Sequence, residues 1–102
     1  MKTMMVRYTV RPEHIAENER DVRKVFEQLE DGKPAGLRYA SFKLGDDGGF
    51  VHIVSQEQAD GHSPLSDVPA FRAFTAAIEQ RCDERPVVTT LTEVGSYRFF
   101  AD

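Results

Sequence analysis

Histidines, tyrosines and a few strand-borne arginines are the residues through which this 102-residue chain could do chemistry. His52 has the most telling setting, in the apolar stretch Phe50-Val51-His52-Ile53-Val54. There it faces either a barrel interior or a helical layer. An imidazole so placed could take a proton or hold a ligand, or it could be a structural histidine satisfied by a neighbour. His62, in Asp60-Gly61-His62-Ser63-Pro64, stands at the entrance to a helix, where its position alone reads as an exposed loop histidine. His14, beside Glu13 and Glu17, reads as a surface residue. Arg7 and Arg38 each sit on a strand. Pointing inward, they would favour an anionic or phenolate ligand; pointing outward, they would form surface or interface ion pairs. Tyr39 and Tyr97 could donate to a substrate oxygen, or pack in the core with the hydroxyl at its edge. Phe71 and Phe74 would wall any pocket and belong to the core in either case.

Other chemistries find no support. The chain has no nucleophile elbow, phosphate loop or dinucleotide fingerprint. His52 and His62 are separated by a loop with Glu57 and Asp60 between them, which is not close metal-ligand spacing, so no metal is expected. Cys82 is the single cysteine; it rules out an intrachain disulfide and reads as a half-buried structural thiol in a reducing compartment. The net charge is −4, and basic residues are scattered among acids, as in Glu19-Arg20-Asp21-Val22-Arg23-Lys24. A nucleic-acid partner is therefore not expected. The segment from Met1 to Arg7 lacks the pattern of a signal peptide, and no apolar run approaches the roughly 20 residues that cross a bilayer. The expectation is a cytoplasmic protein without a membrane partner.

The elements that must position these residues follow from periodicity. Met4, Val6, Tyr8 and Val10 alternate with Met5, Arg7, Thr9 and Arg11, which predicts a strand ended by Pro12. From Pro12 to about Asp31 the spacing of Ile15, Val22, Val25, Phe26 and Leu29 predicts a helix, with Gly32 as its C-cap and Pro34 preventing continuation. Gly36 to Leu44 and Phe50 to Ser55 read as a hairpin around Gly45-Asp46-Asp47-Gly48-Gly49. A second helix begins between Ser63 and Pro69, with Ser63 or Ser66 as cap candidates, and buries Phe71, Phe74, Ile78 and Cys82. Pro86 to Phe100 reads as strand throughout, interrupted at Gly95, and is long enough to cross onto a second subunit.

The order βαββαβ in one domain spanning residues 1–102 matches an α+β, ferredoxin-like arrangement: a four-stranded antiparallel sheet with two helices on one face. Phe50 and Val54, sharing a face with His52, are the candidate apolar residues of the uncovered sheet face. Such a face should find a partner. Two copies packed through it give a homodimer, a dimeric α+β barrel, helped by the C-terminal strand.

The chain resembles the antibiotic biosynthesis monooxygenase-like group of the dimeric α+β barrel superfamily. The likeness lies in Val6-Arg7-Tyr8-Thr9-Val10-Arg11-Pro12-Glu13, in the stretch from Ser55 to Pro64, and in Phe71-Arg72-Ala73-Phe74. It implies a homodimer with a pocket between sheet and helices, and gives His62 a place at the pocket mouth. It also implies one of several activities: oxygenation of aromatic polyketides without a cofactor, haem breakdown, or isomerisation of small sugar-like signals. Oxygenating members commonly use a Trp with an Asn; this chain has no Trp, and Asn18 is its only Asn. The expectation drawn from this is a cofactor-independent monooxygenase-like protein, needing no cofactor, that acts on or binds a small aromatic or quinone-like compound. His52 or His62 would take the substrate proton, and Arg7, Arg38, Tyr39, Phe71 and Phe74 would form the binding site. The alternative is a non-catalytic dimeric small-ligand-binding or stress-related protein on the same barrel.

Overall fold

The first strand, β1 (Lys2–Thr9), turns at Pro12 into a single 3-10 turn, Pro12–His14, and then into α1 (Ile15–Gly32). Proline suits this entry because its ring presets φ and its missing N–H would have had no helical partner. The hairpin β2 (Leu37–Leu44) and β3 (Gly49–Gln56) follows, then a 3-10 turn at Pro64–Asp67, α2 (Pro69–Arg81) and β4 (Val87–Leu91). These come from a computed structural model that describes residues 2–57 and 63–99.

The strands form one antiparallel sheet in the order β2-β3-β1-β4. Tyr8, Val10, Phe50 and Val54 of the sheet are buried with Val22 and Val25 of α1 and with Phe74 and Ile78 of α2. Both helices therefore cover the same sheet face, and the architecture is ferredoxin-like.

Gly48 holds the hairpin to the rest. Its φ of +93° lies in the region that L side chains avoid, and its carbonyl accepts a 2.9 Å bond from the Val10 N–H. That contact helps set β3 against β1 so that Tyr8 pairs with Phe50, Val6 with His52 and Met4 with Val54.

This register corrects the expectation for the uncovered face. Phe50, His52 and Val54 are only 2%, 3% and 9% exposed and point into the helical layer. Period two then sends Val51 and Ile53 to the open face, in rows with Phe42, Arg7 and Val87 and with Ala40, Met5 and Thr89.

Two boundaries and one cap also differ from expectation. Gly32 is still helical, and the left-handed cap falls on Lys33 (φ 44°), whose N–H bonds to Leu29 O at 2.7 Å. α2 opens at Pro69, within the expected range, but its N-cap is Val68; the Ser63 hydroxyl donates to Gln56 Oε1 at 2.6 Å. The last strand ends at Leu91, and 92–99 are exposed and outside the sheet. Leu91 pairs with Thr3, near the start of β1, so the neighbouring strand has run out.

Candidate functional site

His52 lies mid-strand in β3, flanked in the sheet by Val6 and Ser41. Tyr8 and Tyr39 stand diagonally to it on the adjacent strands, a spacing that long side chains can bridge. Both do. Tyr8 Oη lies 2.7 Å from His52 Nε2, and Tyr39 Oη lies 2.6 Å from Nδ1. Ser41 Oγ adds a longer contact to Nε2 at 3.3 Å. Both imidazole nitrogens are thus engaged inside the protein.

The hydrogen bonding continues into the helices. Asn18 of α1, 0% exposed, donates from Nδ2 to Tyr8 Oη at 3.0 Å. Its Oδ1 accepts from Arg81 Nη1 at 3.1 Å. Arg81, buried at the end of α2, also meets Glu17 Oε1 at 2.8 Å and Asp21 Oδ2, so its charge is compensated on the spot. Glu17, Asn18 and Asp21 occupy i, i+1 and i+4 of α1, and the i+3 and i+4 spacings bring them to one side of the helix. Arg81 Nε is buried without a partner among the described residues.

Aromatic rings enclose this chain. Phe74 stacks on His52 with centroids 5.4 Å apart, and Phe50 stacks on Tyr8 at 5.5 Å. Phe26 stacks on Tyr39 at 4.9 Å, and Phe71 meets Tyr39 edge-on at 6.4 Å. The consequences for protonation are direct. Burial pushes the His52 pKa down to about 4, so the imidazole is neutral at physiological pH. Burial raises both Tyr8 and Tyr39, so the phenols keep their protons. The arrangement can donate hydrogen bonds to an oxygen and rearrange protons between hydroxyl and imidazole. A neutral histidine with so low a pKa is a weak base, which limits the proton-taking role expected for it.

Of the expected site residues, the fold brings His52, Tyr39, Phe71 and Phe74 together. Arg7 and Arg38 are carried on the opposite face of the sheet. Arg7 instead helps line a surface cleft of about 650 Å³ with Arg11, Leu44, Asp83 and Arg85, which His52 does not line. Tyr97 is 82% exposed, with the Arg98 guanidinium 5.1 Å from its ring centroid. His14 sits 4.0 Å from Glu17 near the surface, and His62 lies outside the described residues. Burial also raises the Cys82 thiol pKa, in keeping with a structural thiol. Among the described residues, no three His, Cys, Asp or Glu side chains gather as metal ligands would.

Tyr8, Asn18 and Arg81 are the members that sequence reasoning passed over. A signal existed. Asn18 falls in the stripe Ile15, Asn18, Val22, Val25, Leu29, and Arg81 in the stripe Phe71, Phe74, Ile78, Arg81. A polar residue at an apolar stripe position must be hydrogen-bonded in the core, and two such positions on two helices can satisfy each other.

No protein-family model and no curated protein matches this sequence. Solved structures do. One, described as an antibiotic biosynthesis monooxygenase, superposes with a TM-score of 0.71 at 20% identity, covering 93% of this chain and 100% of the other. A Caulobacter crescentus protein proposed to be an antibiotic biosynthesis monooxygenase gives 0.68 at 20%, covering 92% and 90%. A Pseudomonas aeruginosa protein gives 0.71 at 18%, covering 92% and 94%. Across nearly its whole length, the chain has the fold of antibiotic biosynthesis monooxygenase-like proteins.

Proposed function

We propose that this chain is a cofactor-independent monooxygenase-like protein that takes a small phenol-, quinol- or anthrone-type compound beside Tyr39. The observation that carries the reading is the neutral His52 held between the hydroxyls of Tyr8 and Tyr39 under a roof of phenylalanines. A buried polar chain of this length is costly in a small core unless every member is paired. Tyr39 is the end of the chain nearest the surface, only partly buried between Phe26 and Phe71. An aromatic ligand there would stack on phenylalanine while its oxygen met the Tyr39 hydroxyl.

The chemistry this supports needs no bound group. Loss of a proton from an anthrone-type CH₂ gives an enolate, and a hydrogen bond from Tyr39 to its oxygen stabilises the charge. The enolate reduces dioxygen. The CH₂ carbon becomes a quinone carbonyl carrying one oxygen atom, and the other oxygen leaves as water with the two hydrogens. His62 takes the proton in this scheme, because His52 is too weak a base at neutral pH. Two copies pair through the open sheet face, with Arg7 and Arg38 between the sheets. Oxygen uptake with anthrone- and quinol-type substrates tests the proposal: turnover that falls at least tenfold in Tyr39→Phe is expected, and no uptake across a broad panel would sink it.

A second reading has its own observation. Tyr8, Tyr39 and Phe74 pack around His52, and Phe71 packs on Tyr39 and Phe74. A binding protein without turnover would show saturable, Tyr39-dependent binding of the same compounds and no oxygen uptake.

A further inference from the structure

The hydrogen bonds from Arg81 to Tyr39 share one direction, and their direction selects a ligand. Arg81 can only donate, so the Asn18 amide must turn its oxygen toward it and its NH₂ toward Tyr8. Tyr8 Oη, already accepting from Asn18, has its own hydrogen free for His52 Nε2 at 2.7 Å. An Nε2 that accepts places the proton of a neutral imidazole on Nδ1, which then donates to Tyr39 Oη at 2.6 Å. The Ser41 hydroxyl, 3.3 Å from Nε2, can donate to the same lone pair. Every link from Arg81 to Tyr39 is then a donor aimed at the next, and such chains polarise one another. Among the described residues no acceptor takes the Tyr39 hydrogen.

We infer that Arg81, acting through Asn18 and Tyr8, is a positioning residue that sets the His52 tautomer and makes Tyr39 an obligate donor, so that the site selects aromatic ligands presenting an acceptor oxygen, a carbonyl or a phenolate. The choice of ligand rests on the site proposed above; the direction of the chain does not. Arg81 gains this control because its other contacts hold it: Glu17 and Asp21 pin the guanidinium from one side, which leaves Nη1 for Asn18.

Asn18→Asp is the decisive variant. A carboxylate only accepts, so it would take the Arg81 N–H with one oxygen and the Tyr8 O–H with the other. His52 would then carry its proton on Nε2 and accept from Tyr39 on Nδ1. Long-range ¹H–¹⁵N spectra of the imidazole report the tautomer directly. The expected result is the Nδ1–H form in the native chain and the Nε2–H form in Asn18→Asp. An Nε2–H native form, or an unchanged tautomer in the variant, overturns the inference. If Asn18→Asp fails to fold, Tyr8→Phe combined with Ser41→Ala, which removes both donors to Nε2, serves. The Nε2 resonance should move toward that of an unbonded acceptor, and an unmoved resonance overturns the inference equally. The ligand is probed with 1,4-naphthoquinone against naphthalene, which lacks the oxygens. The native chain should bind the quinone about tenfold more tightly, as one hydrogen bond of roughly 1.4 kcal/mol would give, and both Asn18→Asp and Tyr39→Phe should abolish the preference. A tautomer that reverses while the quinone preference is absent or unaffected refutes the proposed binding site and leaves the direction of the chain standing.

Discussion

At position 52 an imidazole that would ordinarily titrate at 6.5 is held neutral down to about pH 4 by burial. This ties its protonation to folding. Between those two values the unfolded chain binds a proton at His52 and the folded chain does not, so stability rises with pH across that window and is lost as pH falls through it. The difference amounts to roughly 3 kcal/mol at about 1.4 kcal/mol per pH unit. Denaturant titrations at pH 7 and pH 4.5 should show a smaller drop for His52→Gln than for the native chain, once the acid response common to both is subtracted. An equal drop would mean that His52 is protonated in the folded state. The same burial separates the roles of the two tyrosines. Tyr8 is enclosed by Phe50, Phe74 and His52, so removing its hydroxyl should affect stability first. Tyr39 is only partly buried, so Tyr39→Phe should act on ligand binding first, with a stability loss of about 1–3 kcal/mol from the His52 Nδ1–H left without its partner.

Among the elements, the β2–β3 hairpin sets the register on which the His52 cluster depends. Gly48 and Gly45 both have positive φ, but only at Gly48 would a Cβ collide with backbone, at the Val10 carbonyl. Gly45→Ala should cost about 1–2 kcal/mol from conformational strain alone. Gly48→Ala should cost clearly more, because the clash also disturbs the bond to the Val10 N–H. Thermal melts of the two variants make the comparison, and equal shifts would count against the contact as a register lock. The hairpin itself was legible in the sequence, since Asp-Gly and Gly-Gly between alternating runs leave few other readings. The strand faces of β1 were equally plain. Which face of β3 meets the helices was not, because Phe50, Val51, Ile53 and Val54 are apolar on both sides and period two gives no preference. Pairing of Phe50 with Tyr8 and of His52 with Val6 decides it. The site was half legible for a related reason. His52 stands out by type, but Asn18 and Arg81 look like ordinary polar residues on mixed-charge helices until their positions in the apolar stripes are counted.

For the molecule as a whole, the uncovered sheet face poses the main question. It carries Val51 and Ile53 with Met5, Ala40 and Phe42, and Phe42 and Val87 are each about half exposed at the ends of one row. An apolar sheet face of this kind should be covered by a second copy. Light scattering should give twice the chain mass of 11.5 kDa, and Ile53→Lys should return it to the single-chain value. A native chain that runs as a monomer at micromolar concentration would overturn the dimer. Helix composition adds a constraint: among the described residues no helix is long and apolar enough to cross a membrane.

The outer edge of the sheet has a different consequence. β4 is a border strand of five residues, Val87-Val88-Thr89-Thr90-Leu91, uncharged, strongly β-forming and mostly exposed. Its outer N–H and C=O groups face no further strand among the described residues, and such an edge is a template on which another strand can be laid. An edge of this kind favours strand addition and fibrils. Monomeric variants such as Ile53→Lys should raise thioflavin T fluorescence over days at concentrations where the native chain stays clear, and a lysine in place of Thr89 should suppress the rise. The strand that borders the sheet would then make pairing between copies a matter of solubility as well as of shape.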